Sequence, residues 1–196
     1  MSSAKEELKK LTAEEKGCVD FPSLIFTYGC YHNNPVNKLI HVFGIPVIVY
    51  CIGVLVMYFF QIQVIVDFFE KLNMPTEPVF LYAIFSWLPL TIIYCIADIG
   101  VGLGWAFWTV PGMFLMKYMN DNYKDVDHFG MSQFTFYLVI QGVCWIAQFV
   151  GHGVFEKRAP ALLTNLLYIF LAPFFETFLI MNKLFGYKEG PRMKQI

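Results

Sequence analysis

The chain has 196 residues, of which 57% are apolar and only 15% charged. A soluble domain carries about 25% charged residues, and here the deficit is concentrated in long uncharged stretches, which excludes a water-soluble globule. A net charge of −1 with no basic stripe excludes a nucleic-acid partner held by phosphate contacts.

Met1 to Lys16 is charged and mixed in sign, with no apolar core and no small-residue cleavage site of a removable signal peptide. Residues 1–20 are therefore expected to form a cytosolic tail. Phe21 to Tyr31 is short, aromatic and broken by Pro22 and Gly29, which suits an interfacial piece. Asn34 followed by Pro35 predicts a helix start, because Asn caps free N–H groups and Pro is tolerated at the first helical position. The first span is expected over Val36 to Tyr58. Gln61 to Leu72 extends it or lies along the surface, since Asp67, Glu70 and Lys71 mark an exit from lipid. After a loop at Asn73 to Pro78, a second span covers 79–97. Asp98, Ile99 and Gly100 predict a tight turn into a third span ending near Met116. Lys117 to Gly130 is polar, the fourth span covers 133–151, and Lys157 to Pro160 closes it. Pro160 to Asn182 is a fifth apolar segment, with Glu176 inside and Pro173 in its middle.

About 20 apolar residues cross a hydrocarbon core, so these stretches predict an all-α polytopic membrane bundle with four to six embedded segments. One membrane domain is expected over 21–186, with tails at 1–20 and 187–196. Both tails are basic, with Lys5, Lys9, Lys10 and Lys16 in one and Lys183, Lys188, Arg192 and Lys194 at the other end. The positive-inside rule places both in the cytosol, which requires an even number of crossings. The Pro-interrupted fifth segment is then expected to be re-entrant or interfacial. The final residues, Arg192 to Ile196, are one Lys/Arg exchange from a dibasic endoplasmic-reticulum retrieval signal. Five scattered cysteines, three of them inside apolar spans, argue for packed thiols rather than a disulfide framework.

The candidate chemistry rests on four histidines, none in a tail. His32 and His41 bracket the start of the first span. On one unbroken helix they would lie on opposite sides and about 13 Å apart, but Asn34 and Pro35 let His32 precede the helix and fold back. Asn37, four residues before His41, shares its face. His128 lies just before the fourth span and His152 near its end, so these span ends could meet at one membrane face. Cys144, Gln148, His152 and Glu156 recur at i, i+4 spacing, with Gln141 on nearly the same face. A polar stripe in a membrane helix faces the bundle interior or a wet cavity. Glu156 could bind a metal or orient the imidazole. A lone membrane histidine is more often a hydrogen-bonded structural residue, and spacing leaves that reading open beside a metal site. Asp127 beside His128 reads as a partner of the site or as solvated acid. Glu176 and Asn165, on one face of the fifth segment, could line a common cavity. Trp87, Trp105 and Trp108 read as packing or belt residues. Lys157 and Arg158 obey the flank rule and also stand where a fatty acid carboxylate would be held. There is no HExxH and no Gly-rich phosphate loop. Four isolated histidines are too few for the clustered histidine boxes of diiron desaturases. Imidazole suits iron, zinc and copper alike.

Two stretches carry a family resemblance. Tyr31 to His41 reads YHNNPVNKLIH and is similar to the pattern YHxNPxNxxxH; Gln148 to Arg158 reads QFVGHGVFEKR and continues APAL to Leu162. Together with the Asp127–His128 pair they resemble the endoplasmic-reticulum membrane 2-hydroxy fatty acid dioxygenases, a family long carried as a domain of unknown function. The resemblance spans about Tyr31 to Phe185, and residues 61–126 match in hydropathy more than in letters. It implies an Fe(II)-dependent enzyme of fatty acid α-oxidation that takes a 2-hydroxy fatty acid and O2 and releases the acid one carbon shorter. It also implies His32, His41, His128 and His152 as iron ligands. Glu156 is then expected as a further ligand or as its support, Asn33, Asn34 and Asn37 as supporting residues, and Lys157 or Arg158 as carboxylate anchors. The 2-hydroxy carboxylate would chelate the iron, with the alkyl tail among the membrane helices. Two rivals stay open: a bis-histidine haem protein of electron transfer, with His32 and His152 axial, and a non-enzymatic lipid carrier. Oligomeric state has no signature in the sequence.

Overall fold

A computed structural model describes Ile25 and residues 28–188. The expected N-terminal tail, Cys18 and the dibasic ending lie outside the described residues. The described chain is helical, and five of its helices are long and apolar enough to cross a membrane.

Helix α1 spans Pro35–Phe59. Asn34 caps it, its side-chain oxygen accepting from the Val36 amide at 2.9 Å, and Pro35 occupies the first turn where no N–H is needed. A short helix α2, Gln63–Lys71, follows. It exposes Val64 and Phe68 and buries Phe69, as a helix lying at a lipid interface does. Helix α3 runs over Pro78–Ala97, with a π turn at Ala83–Trp87. Pro89 just beyond that turn cannot donate to residue 85, and a widened turn takes up the defect. Asp98 alone joins α3 to α4, Ile99–Tyr123, and its carboxylate caps α4 by accepting from the Val101 amide at 2.9 Å. Helix α5 spans Gln133–Glu156 and is capped by Ser132. Its last turn, Gly151–Glu156, is again π, and it stops at Lys157 in the left-handed conformation, φ 56°. After a 3-10 turn at Ala161–Leu163, helix α6 runs unbroken through Pro173 over Tyr168–Phe185 and stops at Gly186, φ 63°.

Helices α1 and α5 pack antiparallel. At one end the Tyr58 hydroxyl donates to Gln133 Oε1 at 2.8 Å; at the other the Asn34 amide donates to Glu156 Oε1 at 2.7 Å. Helices α3 and α4 form a tight hairpin in which a Cβ on Gly102 would stand 2.6 Å from the Cys95 backbone nitrogen. The core has two parts. Tyr94, Trp105, Phe174 and Tyr28 fill one, and Met57, Leu81, Tyr82 and Met116 fill the other. The tryptophans serve packing with their N–H groups bonded: Trp87 to Thr109, Trp105 to Thr91 and Trp108 to Thr177. Outward positions such as Phe43, Phe107 and Phe114 are exposed by 70%, 84% and 71%, the pattern of a lipid-facing surface.

The path of α6 differs from that of the other long helices. Thr177 meets Trp108, Met181 meets Gly104, and the Tyr187 hydroxyl donates to Asp98 Oδ1 at 2.5 Å. Helix α6 is thus antiparallel to α4 and finishes beside the α3–α4 turn. That turn lies at the same end as Asn34 and Glu156, because α1 and α3 run in opposite directions, as do α4 and α5. Helix α5 leaves the bundle at that end, so residues 157–167 turn back inward and α6 returns to the end it came from. The described chain therefore starts and finishes at one end of the bundle.

Candidate metal centre

The centre is built where α1 begins and α5 ends. Backbone bonds from the Tyr31 amide to Tyr28 and from the His32 amide to Gly29, both 3.0 Å, curl the chain just before α1. That curl folds His32 back over the second turn of α1, where His41 projects. The π turn of α5 delivers His152 to the same place. The three imidazoles are mutually perpendicular, with centroids 4.5 Å (His32–His41), 4.8 Å (His32–His152) and 4.9 Å (His41–His152) apart. All three residues are buried, and their ligand atoms lie within 4.8 Å of one another.

Hydrogen bonds decide which nitrogens are available. His32 Nδ1–H donates to the Tyr28 carbonyl at 2.7 Å, and His41 Nδ1–H donates to the Asn37 carbonyl at 2.9 Å. A carbonyl only accepts, so each ring carries its proton on Nδ1 and presents the Nε2 lone pair. A backbone carbonyl on the distal nitrogen is the usual support of a metal-binding histidine. His32 Nε2 and His152 Nδ1 are buried without a partner among the described residues, a costly state for groups that bond strongly in water. Burial, with His41 next in effect, pushes His32 down to about 3, so its lone pair is open at neutral pH without displacing a proton. Converging neutral imidazoles with vacant nitrogens in a dry site fit a bound transition metal such as iron, zinc or copper.

The polar residues of the two sequence stretches hold this geometry. Glu156 Oε1 accepts from the Asn34 amide at 2.7 Å and from Asn37 Nδ2 at 3.2 Å. Since the Asn37 carbonyl fixes His41, Glu156 ties the end of α5 to the support of an α1 ligand; it is not one of the clustered ligand atoms. Asn34 Nδ2 also reaches the Phe155 carbonyl at 3.3 Å. A Cβ on Gly151 would stand 2.4 Å from Asn37 Oδ1, so glycine is what permits the close approach of α5 to α1. Arg158 donates to the Cys30 carbonyl, lies over the Tyr31 ring at 4.9 Å and stands 3.7 Å from Glu156. Asn33 is exposed and donates to the same carbonyl at 2.7 Å, while Lys157 is exposed at the end of α5.

His128 is not brought together with the other three. It pairs with Met131 before α5 begins, stacks on Phe136 at 5.1 Å, and places Nε2 3.3 Å from the Tyr123 carbonyl. The length of α5 separates it from His152 by about 28 Å, beyond the reach of one shared ion. The start of α1 and the end of α5 are the two span ends that meet; His128 precedes the start of α5, and antiparallel packing sends that start to the far end.

A cavity of about 680 Å³ adjoins the histidines. Tyr28, His41, Gln148 and His152 line it near the cluster, and apolar residues including Ile48, Ile52, Val56 and Phe85 line the rest. From His41 to Val56 it follows about 22 Å of α1. Gln148, from the predicted stripe, donates from Nε2 to the Ile40 carbonyl at 3.3 Å. Glu176 and Asn165 do not line this cavity: Glu176 is buried with neither oxygen bonded among the described residues, and Asn165 accepts from the Leu167 amide. Tyr28 was missed by sequence reasoning, since it precedes both motifs and nothing in local spacing ties it to the site. Burial, reinforced by Glu176, holds its phenol well above its ordinary value.

The model of the family described as 2-hydroxy-palmitic acid dioxygenase Mpo1-like matches residues 18–184. The chain is 34% identical over 180 residues to the 2-hydroxy-palmitic acid dioxygenase MPO1 of Saccharomyces cerevisiae, covering 91% of this chain and 88% of that protein. No solved structure matches. With a three-histidine centre built by the two motifs and a match over most of its length, the chain belongs to the 2-hydroxy-palmitic acid dioxygenase Mpo1-like family.

Proposed function

We propose that this protein is an Fe(II)-dependent dioxygenase of fatty acid α-oxidation, embedded in the endoplasmic-reticulum membrane with both tails in the cytosol. It converts a 2-hydroxy fatty acid and O2 into the acid one carbon shorter; carbon dioxide and water complete the atom balance. The observation that carries this reading is the set of three buried imidazoles with converging nitrogens at one end of an apolar cavity, in a chain of this family. His32, His41 and His152 would hold the iron, which supplies the redox chemistry between O2 and the substrate.

The chain's own residues supply position and exclusion. Tyr28 and Asn37 carbonyls lock two imidazoles in the tautomer that binds metal. Glu156 and Asn34 lock α5 to α1, so the third ligand is held by the fold rather than by the ion. The apolar cavity takes the alkyl tail, and burial of that tail drives binding at about 0.8 kcal/mol per CH2 removed from water. With the tail along α1, the acid's polar end would lie at the histidines, which would orient its C1–C2 bond for cleavage.

The test is direct. Detergent-solubilised protein loaded anaerobically with Fe(II) is given 2-hydroxypalmitate and O2, and pentadecanoic acid is sought by mass spectrometry. Product that vanishes in His152→Ala supports the assignment. Bound iron without product points to another oxidation, and a Soret band points to a haem protein instead.

A further inference from the structure

A carboxylate at the metal end of the cavity needs a donor, and the cations near the site stand outside the cavity wall. Arg158 donates from Nη2 to the Cys30 carbonyl and lies over the Tyr31 ring beside Glu156, its Nε buried with no partner among the described residues, and Lys157 stands exposed beyond the end of α5. Neither lines the cavity. Most donors on its wall are also spent: Gln148 on Ile40, Trp87 on Thr109, Trp105 on Thr91, and Tyr94 on the Phe170 carbonyl. Tyr82 and Ser86 lie at the far end of the cavity, and Trp145 is about 10 Å from His152 along α5.

Tyr28 is different. It is 4% exposed, lines the cavity beside His41 and His152, and stacks on the His32 ring at 4.2 Å. Its hydroxyl makes no hydrogen bond among the described residues. A buried tyrosine hydroxyl ordinarily finds a partner, and one with no partner among the described residues, in the wall of a cavity, is placed to meet a ligand. Its ring is also held rigidly, by His32 on one side and Phe175 at 5.1 Å edge-on. A phenol donates one hydrogen bond without bringing a charge into an apolar site.

We propose that the Tyr28 hydroxyl anchors the substrate carboxylate, donating to one of its oxygens and so setting which end of the fatty acid meets the metal. This rests on the dioxygenase reading of the same cavity. One residue then has two duties on opposite sides: its carbonyl fixes His32, and its hydroxyl fixes the acid.

The test measures binding of 2-hydroxypalmitate and of its methyl ester to metal-free protein, where chelation contributes nothing, with metal content after reloading as a fold control. Tyr28→Phe keeps the ring and removes only the hydroxyl. The expected result is acid binding weakened about tenfold, the size of a hydrogen bond to a charged group, with ester binding and metal content unchanged. In the loaded enzyme KM should rise more than kcat falls. Equal loss of acid and ester, loss of metal, or no change at all in Tyr28→Phe overturns the proposal. So does an acid–ester difference that survives Tyr28→Phe and disappears in Lys157→Gln. Failure of the wild-type protein to bind either lipid would instead sink the dioxygenase reading itself, and this anchor with it.

Discussion

Two imidazoles in this molecule, His32 and His41, owe their orientation to a carbonyl four residues earlier in the chain. That local device explains why each histidine is useful only with its neighbours, and it makes the residue-scale predictions specific. His32→Ala, His41→Ala and His152→Ala should each abolish stoichiometric metal binding, whereas His128→Ala should retain it; elemental analysis of the purified proteins decides. Metal loss in His128→Ala equal to that in His152→Ala would contradict the three-ligand centre. Glu156 acts one step removed, through Asn34 and Asn37. Removing a support of a metal ligand costs about 10–100-fold in metal affinity, and Glu156→Ala should fall in that range by competition with a chelator. Glu156→Gln, which can still accept the Asn34 amide, should recover part of the loss.

At the scale of elements, the molecule depends on helices approaching more closely than side chains allow. Gly102 faces the Cys95 backbone, which cannot move aside as a flexible side chain can. Gly102→Ala should therefore splay the α3–α4 hairpin and cost about 1–3 kcal/mol, the usual penalty of overpacking. Gly112 and Gly142 have nothing within 4 Å of an added Cβ, and alanine there should leave thermal unfolding in detergent unchanged or slightly raised. Equal midpoints for Gly102→Ala and Gly112→Ala would show that the hairpin is looser than its geometry. The π turns belong to this scale as well. One follows from Pro89, and the other re-aims the end of α5 so that His152 and Glu156 both face α1. Periodicity of 3.6 residues predicts the polar stripe; it has no term for a widened turn.

The molecule as a whole has its two described chain ends and its histidine cluster together, with the 124–130 loop at the opposite end. A topology experiment follows. With native cysteines masked, Lys188→Cys and Asp125→Cys should react with a membrane-impermeant reagent from opposite sides of sealed vesicles. Labelling of both from one side would mean that α6 crosses the membrane. The chain's letters alone determined a great deal here. Long uncharged stretches imposed membrane helices because a backbone in lipid must satisfy its own hydrogen bonds. Asn34–Pro35 and Asp98 marked helix starts through cap chemistry that needs only near neighbours. Two dense motifs identified the family and carry the three histidines that the fold brings together. What only the tertiary structure decided depends on contacts distant in sequence. It sent His128 to the far end of the bundle, turned residues 157–167 inward so that α6 returns to the end it came from, and withdrew Arg158 to the Cys30 carbonyl. It also brought Tyr28 to the cavity. The reason is physical: local spacing sets which face of a helix a residue occupies, while helix direction and packing set which end of the bundle that face reaches.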